Sequence, residues 1–176
     1  MFSLLVKEEK GITLIEMLLA LAIVSMVLAV GFSFHFYVNK SFDVASGQSE
    51  LQFNVRSASE RIESIVRYAS YVEIMENVPD TISDEAIYIN TDKLMHYKDG
   101  SATNLLGFSS SDITYDIKFV KTDKNFLEYT IQAEKDGQTF EISKELQILN
   151  INIDDGDEIE GGDIEADKAK VIIITN

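Results

Sequence analysis

Between Lys10 and Lys40 the chain carries one formal charge, Glu16, inside a stretch otherwise made of apolar and small uncharged residues. The apolar run from 12 to 37 is about 26 residues, and roughly 20 are enough to cross a bilayer as a helix. A helix that is apolar on every side must be enclosed by protein or by lipid. A carboxylate within a spanning helix costs about 2.5–3.5 kcal/mol on insertion scales, so one that persists marks function rather than packing. A secretory signal is a different object. Its apolar core is about 7–15 residues and ends in a small-residue cleavage site. Here the run is longer and lacks a terminal Ala-x-Ala. A plain signal anchor with an incidental glutamate would also leave Lys10-Gly11 and the spacing to Glu16 unexplained.

The residues Lys10, Gly11, Ile12, Thr13, Leu14, Ile15 and Glu16, followed by the long apolar run, resemble the N-terminus of type IV prepilins and of the pseudopilins of type II secretion. The resemblance covers about residues 7–30 and implies a sequence of events. A prepilin peptidase in the membrane cuts after Gly11. Ile12 becomes the new, methylated N-terminus, and Glu16, fifth in the mature chain, acts in assembly. Ile12 stands where Phe is commonest in the family, and no Pro interrupts the membrane run as one does in many major pilins. The implied partners are other pilin subunits in a filament, the peptidase and a membrane assembly platform. The implied location is a single-pass cytoplasmic membrane precursor that passes to a surface filament.

Composition narrows the rest. Cysteine is absent, which removes disulfides and thiol chemistry. Many Gram-negative pilins close a C-terminal loop with a disulfide, so its absence here, with a wording rich in Ile, Asn, Lys and Asp, points to a Gram-positive source. The net charge is −15; the leader's two lysines cancel its two glutamates and Glu16 carries one charge, leaving −14 on residues 17–176. Nucleic-acid affinity rests on Lys and Arg neutralising phosphates, so no nucleic-acid partner is expected.

Four blocks follow. Residues 1–11 are the leader and 12–38 the membrane and assembly helix. In 39–78, Leu51, Val55, Ala58, Ile62, Ile65, Val66, Ala69 and Val72 recur at steps of three or four, the pattern of one buried helical face. The spacing predicts a helix reaching about Met75, with Pro79-Asp80 as a stop. Joined to the first block it would be about 90 Å long. Residues 79–176 supply the cover. Segments 86–90 and 93–98 flank a turn at Thr91-Asp92. Segments 113–121, 126–134 and 138–149 alternate with period two and read as an antiparallel meander, the last pair joined at Asp136-Gly137. The run 170–175 is expected as an edge strand or beside the helix. The fold class is α+β: a long N-terminal helix packed on an antiparallel sheet, which is also the fold the resemblance implies.

Catalysis finds little footing. His35 sits among Phe34, Phe36 and Tyr37, and His96 beside Met95 and Tyr97, neither with partners at metal or triad spacing. Tyr88, Tyr97, Tyr115, Phe119 and Tyr129 read as strand formers and core fillers in preference to a carbohydrate-binding face. The acidic segment 154–167 offers Asp154, Asp155, Asp157, Glu158, Glu160 and Asp163 as oxygen ligands for a hard cation such as Ca2+. No EF-hand register fits, and a solvated acidic loop is the favoured reading, so no cofactor is expected. Two functions remain: a filament subunit of the minor pilin or pseudopilin kind, or a membrane-anchored extracellular adhesion or ligand-binding module that does not polymerise.

Overall fold

The computed structural model describes residues 12–107, 112–152, 156–161 and 169–175. It divides into two compact units, Met1–Val44 and Ala45–Asn176. In the first, the described residues are almost wholly helical, as the first part of α1 (Leu14–Val66). Every described side chain from 12 to 46 is exposed. The helix is long and apolar enough to cross a membrane. Ser25 and Ser33 are satisfied within the helix: Ser25 Oγ donates to the Leu21 carbonyl at 2.7 Å and Ser33 Oγ to the Ala29 carbonyl at 2.8 Å. Such back-bonding lets a hydroxyl sit on an apolar helix without a partner from outside.

In the second unit the rest of α1 buries Leu51, Val55, Ala58, Ile62 and Val66, the stripe read from the sequence. The helix stops earlier than that spacing suggested. It ends at Val66, and Tyr71–Met75 is a strand, β1. Val72 keeps its place in the core, but by strand alternation. The physical reason lies across the gap. Tyr71–Met75 finds a complete backbone ladder on the C-terminal strand, and Ser70 N–H donates to the Thr175 carbonyl at 2.8 Å. Tertiary pairing therefore overrides a helical spacing that runs on by one more turn.

The other strands are β2 (Glu85–Asn90), β3 (Lys93–Lys98), β4 (Ser101–Asn104), β5 (Thr114–Asp123), β6 (Phe126–Lys135), β7 (Gln138–Gln147) and β8 (Val171–Thr175). They form two sheets, ordered β1-β8-β2-β3-β4 and β5-β6-β7. The second is the expected meander. The two tight hairpins carry φ of 49° and 61° at Thr91 and Asp92, and 50° and 74° at Asp136 and Gly137. Two successive left-handed residues give the turn whose twist matches paired strands. The expectation for 170–175 is corrected: β8 is neither an edge nor a companion of the helix but lies inside the first sheet, between β1 and β2. Val171, Ile172 and Ile174 are all buried, as a strand covered on both faces requires.

One core joins helix and sheets. It takes Ile62 and Val66 from α1, Val72, Ile74, Ile87 and Leu94 from the first sheet, and Ile117, Phe119, Tyr129 and Ile131 from the second. Ile159 is fully buried in the same core, so segment 156–161 is a strap tied down by an apolar plug. The strap pairs with β1 through Ile74 N–H to the Glu160 carbonyl (3.0 Å) and Glu160 N–H to the Val72 carbonyl (2.9 Å). Gly161 makes this approach feasible. Its φ is 81°, and a Cβ there would lie 2.1 Å from the Ile74 oxygen.

Candidate functional site

The first turn of α1 holds the lone carboxylate. Thr13 precedes the first helical residue and its hydroxyl accepts from the Glu16 N–H at 3.3 Å. In return the Thr13 N–H donates to Glu16 Oε2 at 2.9 Å, and the Thr13 hydroxyl lies 3.0 Å from the same oxygen. This is a reciprocal capping box: two otherwise orphaned helix donors are satisfied by two side chains three residues apart. The helix N-terminus also favours a negative charge in its first turn. Glu16 is thus seated on its own helix, which offsets part of the cost of holding a charge in an apolar surround. Ile12, immediately before the box, is 73% exposed. Gly11 lies outside the described residues.

One set of ionic groups in the second unit lies at the joint between α1 and the meander. Glu63 accepts from Lys144 Nζ at 2.6 Å, from the Tyr129 hydroxyl at 3.1 Å and from Arg67 at 3.3 Å. The hydrogen bond from Lys144 is the main reason its carboxyl is held below the usual glutamate range; burial pushes the other way. Ser59 Oγ lies 2.8 Å from the same Tyr129 hydroxyl, and burial pushes that phenol far up. One residue before the stripe begins, Glu50 pairs with Lys135 at 2.7 Å. These contacts fix the helix's register on the sheet; none converges on a reaction centre.

His96 has a partner that sequence spacing did not reveal. Its Nε2 is 2.6 Å from Glu85, which Lys98 also reaches at 3.1 Å. Burial raises the Glu85 carboxyl, and the hydrogen bonds from His96 and Lys98 outweigh that, leaving it lowered. The two-residue turn at Thr91-Asp92 was the signal available: it sets Glu85 opposite Lys98 and diagonal to His96. His35 meets Asn39 at 3.0 Å along its own helix.

Of the cation candidates, Asp154, Asp155 and Asp163 lie outside the described residues. Asp157, Glu158 and Glu160 border an open cleft of about 730 Å³ beside Ser70, Tyr71 and Lys121. Glu158 is paired with Lys121 at 2.8 Å, which lowers its carboxyl, and Glu160 accepts from the Tyr71 hydroxyl at 3.0 Å. Among the described residues no group of three His, Cys, Asp or Glu side chains is placed to hold a metal. Two of the three described carboxylates have the task of tying the strap to the sheets.

Residues 7–32 match the family described as the prokaryotic N-terminal methylation motif. Among solved structures, a mutant of the PilB minor pilin from Streptococcus sanguinis is similar, with a TM-score of 0.57 at 15% identity over 73% of this chain. The chain covers 34% of the length of that protein. No curated protein matches. The chain therefore carries a prepilin-type N-terminal motif and a pilin fold, one long helix on antiparallel sheets. The motif is that of the N-terminal methylation family, and the fold is similar to that of a minor pilin.

Proposed function

We propose that the chain is a minor structural subunit, pilin or pseudopilin, of a type IV pilus or a type II secretion-like filament. The observation that carries this reading is Glu16 seated at the start of a helix whose apolar surface from Leu14 to Val44 is exposed all round. Such a surface needs either lipid or copies of itself. The precursor is anchored in the membrane of a Gram-positive cell with its acidic domain outside. A prepilin peptidase removes residues 1–11, Ile12 is methylated on its amine, and an assembly platform draws subunits from the bilayer into a filament.

Glu16 has work to do in both states. In the free subunit its carboxylate closes the cap with Thr13. In the filament it adds an ion pair with the Ile12 ammonium of a neighbour, which spares two buried charges and sets the axial register between subunits. Removing one member of a buried pair leaves the other uncompensated, at a cost of about 3–5 kcal/mol.

Three variants separate the roles. Glu16→Ala loses cap and charge, Glu16→Gln keeps the cap and loses the charge, and Glu16→Asp keeps the charge on a shorter arm. The expected order of filament incorporation is native, then Asp, then Gln and Ala together, read as the ratio of sheared filament to membrane-retained subunit. Native-level incorporation of Glu16→Gln would assign Glu16 to capping alone. Intact mass of the native protein should show a start at methylated Ile12. A chain still beginning at Met1 in cells that hold the peptidase would instead favour an anchored adhesion or ligand-binding module.

A further inference from the structure

The last strand of the chain is an inner strand of its sheet. β8 pairs antiparallel with β1 from Tyr71↔Thr175 to Met75↔Val171, and antiparallel with β2 from Glu85↔Ile174 to Tyr88↔Val171. β1 and β2 therefore run parallel to each other and are joined only through β8. Side chains alternate between two apolar environments. Ile172 and Ile174 enter the main core with Val72, Ile74 and Ile87, and Val171 and Ile173 join a smaller cluster with Ala86 and Tyr88 on the opposite face. Both ends are pinned. The Thr175 carbonyl accepts from Ser70 N–H at 2.8 Å and from Ser70 Oγ at 3.0 Å, and the Met75 carbonyl accepts from Lys170 N–H at 3.1 Å.

We propose that the gap between β1 and β2 is a strand-acceptor site whose ligand is an extended, β-branched apolar peptide, and that the chain's own C-terminal strand is its occupant. Everything that recognises the strand lies in the gap: two backbone ladders fix direction and register, and alternating pockets read Val171, Ile172, Ile173 and Ile174. Strand addition of this kind takes affinity from main-chain hydrogen bonds and specificity from alternate side chains. The covalent connection from β7 contributes a closed loop, whose cost grows only slowly with length. A tether of this sort is equivalent to a local concentration in the millimolar range. A separate peptide at similar concentration should therefore occupy the gap. Without the strand, β1 retains among the described residues its bridge to the strap, and β2 lacks one ladder.

The test disables the strand within the full chain and supplies it from outside. Ile172→Asp combined with Ile174→Asp, in detergent, should abolish the cooperative thermal transition of the domain. A synthetic peptide of residues 169–176 with the native sequence, at about 1 mM, should restore a cooperative transition. The same peptide with both aspartates should restore none. An unchanged transition in the double variant would overturn the proposal, because the strand would then not be needed. So would failure of the native peptide to restore the transition, because recognition would then depend on the tether. In the unaltered chain, backbone amides of β1, β2 and β8 should exchange with solvent together. Protection in β1 and β2 outlasting that in β8 tenfold or more would also overturn it.

Discussion

The two stretches of α1 on either side of Val44 solve opposite problems. From Leu14 to Val44 nearly every residue is apolar or small, and none is covered by the chain itself. From Ala45 to Val66 the large apolar residues other than Phe53, which is 62% exposed, keep to one face, and that face is sealed by both sheets. The second stretch owes its stability to tertiary packing, as amphipathic helices do. The first has no such support within the chain. Its backbone is satisfied internally, which suits an apolar solvent, and its surface is left for lipid or for like helices. One continuous element thus contains a segment specified by its own fold and a segment specified by its surroundings. Glu16 stands in the latter, where a side chain's worth depends on which surroundings it has.

The same substitution placed in each stretch should separate the two regimes. Ile62→Asp puts a charge into the sealed face and should lower the stability of the domain by about 4 kcal/mol, read from the urea midpoint. Leu21→Asp should leave that midpoint within about 0.5 kcal/mol, yet weaken retention in the membrane by about 2.5–3.5 kcal/mol of insertion free energy. A shared effect on the domain would dissolve the distinction. Within the covered region the strap is the next test. Gly161→Ala forces a Cβ against the Ile74 carbonyl at a left-handed φ and should cost about 2 kcal/mol, while Gly137→Ala, with open space at its Cβ, should cost about 1 kcal/mol.

The smallest effect is electrostatic. The Glu63 carboxyl is held low chiefly by Lys144, so its contribution is complete above the ordinary glutamate value of about 4.3 and is lost as pH falls through the lower folded value. Glu63→Gln should cost about 1 kcal/mol at neutral pH and flatten the decline of stability with acid. Melting temperatures of both proteins from pH 7 to 3 would show it. A parallel decline would place the acid sensitivity elsewhere, with Glu85 next in line.

What the sequence made legible follows from how local each signal is. The stripe from Leu51 to Val66 and the turns at Thr91-Asp92 and Asp136-Gly137 are local patterns, and they form as read. The end of the helix was not local. Tyr71–Met75 continues the helical spacing, and only its distant partner β8 makes it a strand. The inner position of β8 was within reach. Four consecutive apolar residues from Val171 to Ile174 match a strand covered on both faces better than an edge. β4, spelled Ser-Ala-Thr-Asn, carries no strand pattern and forms by pairing with β3. At the site, the spacing of Glu16 from Gly11 was plain; Thr13-x-x-Glu16, a pattern that predicts a reciprocal cap, was equally local but was not read as one. The cluster around Glu63 was hidden because Glu63 and Lys144 both read as solvent-facing; a phenol at Tyr129 on the core face, in need of a partner, was the clue.

The strap along β1 has a consequence for life in a crowd. Under the proposed function, subunits waiting in a bilayer would be confined to two dimensions, with their domains side by side at high local density. An uncovered strand edge is a template for pairing between copies, and the usual outcome is irreversible clumping. Here the strap closes the β1 edge. The opposite edge, β4, is four residues long. The long margin of the meander, β7, displays Glu141, Lys144 and Glu145, and charges of this kind discourage edge-to-edge contact. In a subunit acting as proposed, the adhesive surface among the described residues is the apolar helix from Leu14 to Val44, which lipid would occupy until a growing filament replaced it.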